Sequence, residues 1–205
     1  MSVRDEPGFA GYGRGGFVAR RGKPGLWVME GNWSASVRDV RSVEPVLTAL
    51  QATRGAQFAK RHINDPEDLE LGLKRWGQRQ HQPYNIGYIA LHGSPATVHI
   101  GRRSVDLFQL GERLPAATLR QKALHFGSCS VLDLHRRERE DLRKVLGVKV
   151  VTGFTEDVEW IESLAFELLL FDALTWYKRP SDAENYLKKT HAAFIKRIGF
   201  VMVRG

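Results

Sequence analysis

Disulfides within this 205-residue chain are excluded, because Cys129 is its only cysteine. That argues against a small secreted scaffold held by cross-links and suits a reducing compartment, so a cytoplasmic location is expected. Long apolar runs are also missing. The most apolar stretch, Leu164 to Leu174, is broken by Glu167 and Asp172, which is too short and too charged for membrane insertion. The glycine- and arginine-bearing start of the chain lacks the apolar segment of a signal peptide. Paired metal-ligand spacing is absent too. Seven histidines occur with no H-E-x-x-H pattern and no second cysteine, so neither a metal nor another cofactor is expected.

What is present is globular composition, 42% hydrophobic and 26% charged, in a chain long enough to bury a core unaided. The net charge of +8 is terminal: residues 1–25 carry +3, residues 178–205 carry +5, and the segment between balances. A built-in groove for nucleic acid would need basic residues in the middle, so nucleic acid is not the expected partner. Residues 1–25 hold seven glycines and read as an arm, either a surface tail or an RNA-binding segment. Residues 26–205 read as one domain.

From Leu26 the chain alternates short apolar runs with helical spacing. Strands are expected at Leu26–Glu30, Gln57–Ile63, Ile86–Leu91, Leu124–Phe126, Val148–Thr152 and Phe200–Val203. Helices are expected at Val43–Thr53, from Pro66 through Trp76, at Leu119–Ala123, Asp133–Leu146, Trp160–Tyr177 and Tyr186–Ile198. Thr97–Ile100 and Val105–Leu110 suggest a hairpin. Such alternation implies an α/β fold, a three-layer α/β/α sandwich around a mostly parallel sheet.

In open α/β sheets, ligand sites lie beyond the carboxyl ends of the strands. His92 and Cys129 each follow a strand directly, so both are expected at that edge. A thiol there, ahead of a helix, can be held as thiolate, and a neighbouring imidazole can exchange the proton. Gly93 permits close backbone approach, so its N–H and that of Cys129 are candidates for an oxyanion hole.

The residues that carry this chemistry resemble a family. Tyr88-Ile89-Ala90-Leu91-His92-Gly93-Ser94, then Leu124-His125-Phe126-Gly127-Ser128-Cys129, resemble the two catalytic elements of the caspase, metacaspase, legumain and separase clan. The 37 residues from His92 to Cys129 are fewer than the roughly 50 of caspases. The segment Val151 to Trp160 resembles the strand and loop after the nucleophile in small bacterial members. The resemblance implies a caspase-haemoglobinase-like fold and a cysteine endopeptidase with His92 as acid/base and Cys129 as nucleophile. By analogy it implies a protein substrate, such as a gasdermin-like partner, in bacterial immunity, antiviral defence or programmed cell death.

Ser130-Val131 replaces the Arg-Gly of caspases and Gly127 replaces the metacaspase aspartate, so neither clan specificity carries over. Glu156, Asp157 and Glu159 either line a pocket for a basic side chain or favour the N-terminus of the following helix. Trp160 either walls a specificity pocket or joins the core. An α/β-hydrolase fits poorly, because Val131 stands where that fold needs glycine and only His135 or His191 follow the thiol. The competing non-enzyme reading is an inactive interaction module that binds nucleic acid or an acidic partner through basic termini.

Overall fold

A computed structural model describes residues 25–36, 38–54, 56–115 and 118–205. The arm expected over residues 1–25 therefore lies, but for Gly25, outside the described residues. The core is a six-stranded sheet. In chain order its strands are β1 (Gly25–Glu30), β2 (Gln57–His62), β3 (Tyr84–Ala90), β7 (Ala123–Phe126), β8 (Val150–Phe154) and β9 (Phe200–Arg204), arranged β2-β1-β3-β7-β8-β9. All pairings are parallel except β8 with β9, which is antiparallel. A second, three-stranded antiparallel sheet of β4 (His92–Ser94), β5 (Thr97–Ile100) and β6 (Arg103–Asp106) follows β3.

Period-two alternation along the strands feeds two cores, one on each face of the sheet. Trp27, Met29, Ile89, Leu124 and Phe126 pack against α2 (Pro66–Trp76), α3 (Leu107–Glu112) and α4 (Arg136–Val145). Leu26, Val28, Ile86, Tyr88 and Phe154 face α1 (Glu44–Arg54), α5 (Trp160–Trp176), α6 (Pro180–Thr190) and α7 (Ala192–Arg197). The protein is thus α/β, with a mixed, mostly parallel sheet covered by helices on both sides. Among the described residues, no helix is long and apolar enough to cross a membrane.

Several expected elements shift. Leu107–Glu112 continues the hairpin as a helix because the Asp106 carboxylate accepts the Gln109 N–H at 2.8 Å, an N-cap that stops the strand. Leu119–Gln121 is a turn rather than helix. The last helical stretch divides at His191 into α6 and α7. Helix α4 starts at Arg136, three residues later than expected, with His135 as its N-cap.

Candidate active site

Strand order reverses between β1 and β3, because the chain runs from β1 to β2 on one side and on through β3, β7 and β8 on the other. The carboxyl ends of β1 and β3 therefore flank the switch point, the usual location of an α/β site. His92 follows β3 at this edge of the sheet, and Cys129 follows β7.

Backbone contacts join the two segments. A Cβ on Gly93 would stand 2.8 Å from Ser128 Cβ and 2.9 Å from the Cys129 carbonyl oxygen, so only glycine fits there. The Ala96 N–H donates to the Val131 carbonyl at 3.1 Å, tying the β4–β5 turn to the chain just past the thiol. The segments that carry His92 and Cys129 thus abut through their backbones.

Their side chains hold other partners. His92 Nε2 lies 2.9 Å from the Trp33 main-chain carbonyl. A carbonyl only accepts, so Nε2 is the donor in this contact. The Trp33 ring stands edge-on to the imidazole at 5.4 Å and edge-on to Trp160 at 4.5 Å. Cys129 Sγ makes a weak S–H contact, 3.9 Å, with the Val158 carbonyl. Among the described residues no hydrogen bond joins the thiol to the imidazole. The thiol is half-buried and the imidazole exposed.

The turn bearing the thiol is strained. Ser130 has φ of 45°, unusual for a residue with a side chain. Its N–H donates to the Glu156 carbonyl at 3.0 Å and its hydroxyl to Asp157 Oδ1 at 2.9 Å. Asp157 therefore braces the turn that bears Cys129. Glu159 is the exposed N-cap residue of α5, and Trp160 begins that helix half-buried against Trp33. Helix α4 begins seven residues after Cys129. The thiol instead contacts Val158, immediately before the N-cap of α5.

A buried polar cluster beneath the turn escaped sequence reasoning. Tyr88, His125 and Thr152 occupy one face of three neighbouring strands and meet Glu167 from α5, all nearly or fully inaccessible. The Tyr88 hydroxyl donates to Glu167 Oε2 at 2.5 Å. His125 Nε2 lies 3.2 Å from Glu167 Oε1, and its Nδ1 lies 2.9 Å from the Thr152 hydroxyl. Burial, with the neighbouring carboxylate, pushes the Tyr88 phenol well above its ordinary range. A Cβ on Gly127 would come within 2.5 Å of both Glu167 Oε1 and Tyr88 Cε2. The cluster therefore fills the space a side chain at 127 would need.

The imidazole of His92 and the thiol of Cys129 thus stand on abutting segments, each bonded to a main-chain carbonyl of its own. No group of three metal-ligating side chains occurs among the described residues. A model described as a family of unknown function, DUF6642, matches residues 24–203. The chain belongs to that family. The matched span holds Trp33, His92, Gly127, Cys129 and Glu167, so this sheet edge and the buried cluster both lie inside the DUF6642 domain. No curated protein matches the chain.

Proposed function

We propose that this chain is a cysteine endopeptidase with a caspase-like catalytic frame, acting on a partner protein through Cys129 and His92. The contact of Gly93 with Ser128 and Cys129, at the carboxyl edge of a parallel sheet, carries the reading. The Cys129 thiolate attacks the scissile carbonyl carbon, and the C=O electron pair moves onto oxygen. The N–H groups of Gly93 and Cys129 are the candidate donors to that oxyanion. The His92 imidazolium gives its proton to the departing amine as the C–N bond breaks, leaving a thioester on Cys129. Water then attacks the thioester, His92 takes its proton, and the thiolate leaves.

Asp157, bonded to Ser130, Glu159 at the N-cap of α5, and Trp160, packed on Trp33, are the candidate substrate contacts. A role in immunity or cell death, with a gasdermin-like substrate, extends this reading by analogy to the clan.

The test is digestion of a proteome-derived peptide library by wild type, Cys129→Ala and His92→Ala. Cleavage by wild type alone supports the peptidase, and the cut sites define its preference. Equal cleavage by wild type and Cys129→Ala refutes Cys129 as the nucleophile.

A further inference from the structure

The residue that fixes His92 through its hydrogen bond lies on the loop after β1, and that loop hangs on one buried carboxylate. Glu30 closes β1 and is 4% exposed. Its Oε1 accepts the Trp33 indole N–H at 3.0 Å and the Val43 N–H at 2.8 Å. Its Oε2 accepts the Ser42 hydroxyl at 2.9 Å and faces the Lys60 ammonium at 3.3 Å. Both ends of the loop from Gly31 to Ser42 are thereby drawn to the same side chain. A buried charge is tolerated when it is this fully paired, and such a network fixes one geometry.

We propose that Glu30 is a positioning residue that acts on His92 through Trp33. The clamp holds the indole, and the indole places its own main-chain carbonyl where His92 Nε2 donates. The same ring stands edge-on to the imidazole, so rotation and proton position are set together. Arg41 shares the Trp33 carbonyl at 3.2 Å while paired to Asp39, which places a cation and an anion at the outer side of the bond. This inference rests on His92 serving as proton partner of Cys129.

The test measures iodoacetamide alkylation of Cys129 at pH 6 and pH 9, with thermal unfolding recorded for each variant. An ordinary thiol is largely ionised at pH 9 and little at pH 6, where a well-placed imidazole has most to add, so the ratio of the two rates isolates positioning from folding. Trp33→Phe keeps the ring and the carbonyl but removes the N–H held by Glu30. Glu30→Met removes the clamp at similar volume. Both are expected to lower the pH 6 to pH 9 ratio about tenfold, and so is His92→Ala. A wild-type ratio in folded Trp33→Phe, with a fall in His92→Ala, overturns the clamp and leaves the peptidase reading standing. A wild-type ratio in His92→Ala overturns both. Trp33→Phe alone decides the matter where Glu30→Met does not fold.

Discussion

Replacing Gly127 by alanine adds a single methyl group, yet the site beneath it has no room. The new Cβ would sit 2.5 Å from Glu167 Oε1 and 2.5 Å from Tyr88 Cε2, about 1 Å inside ordinary contact. Neither neighbour is a loose chain end. The Tyr88 ring packs edge-on to Phe171 at 4.9 Å, and its hydroxyl is bonded to the same carboxylate. Glu167 is held in turn by His125, whose other nitrogen meets Thr152. Overpacking in a fixed core costs about 1–3 kcal/mol, and a domain this size loses roughly 2–4 °C of Tm per kcal/mol. Urea unfolding should show a lower midpoint with an unchanged slope. Glu167→Ala is destabilising alone, since it leaves the Tyr88 hydroxyl without its acceptor. In the double variant the two losses should fall short of their sum by about 1 kcal/mol or more, because the carboxylate that obstructs the methyl is gone. Stability of Gly127→Ala within about 0.5 kcal/mol of wild type would refute the reasoning.

Gly93→Ala should be destabilised by a similar 1–3 kcal/mol and should displace the thiol turn, so Cys129 alkylation at pH 6 falls even in protein shown to be folded by circular dichroism. Lys122 is buried, with its ammonium donating to the His81 and Tyr84 carbonyls, and desolvation lowers its pKa to about 8. Below that pH both the folded and unfolded chains hold the proton and the folded one bears the whole burial penalty. Between about 8 and the ordinary lysine value near 10.4 the folded chain releases the proton first. Urea unfolding of wild type relative to Lys122→Met should therefore show stability rising over that window, and a flat difference contradicts the assignment.

The sheet was legible because the inner strands β1, β3, β7 and β8 are short, mostly apolar runs, and Ile86–Leu91 and Leu124–Phe126 end directly on His92 and the Cys129 turn. The loop after β1 was not. Glu30 closes an apolar strand, and Gly31 to Ser42 has neither the helical nor the alternating period that local patterns reveal. Its importance comes from strand order, which places β1 beside β3 only in three dimensions. The Tyr88, His125, Thr152 and Glu167 cluster was hidden for the same reason. Its members lie up to 79 residues apart and converge through register and helix packing. A carboxylate inside the apolar run of α5 was the one local sign, and it was useful only as evidence against a membrane span. Helix α3 depended on the single cap at Asp106, which a two-residue period conceals.

Irreversible labelling by a library of peptidyl acyloxymethyl ketones, read by intact mass and peptide mapping, tests the central claim most directly. These reagents need both a nucleophilic thiol and a peptide-binding crevice: the thiolate displaces the carboxylate and a thioether forms. One adduct is expected, on Cys129, from a subset of sequences, lost on unfolding in urea and in His92→Ala. No adduct from any member, or labelling of His92→Ala at the wild-type rate, would contradict it.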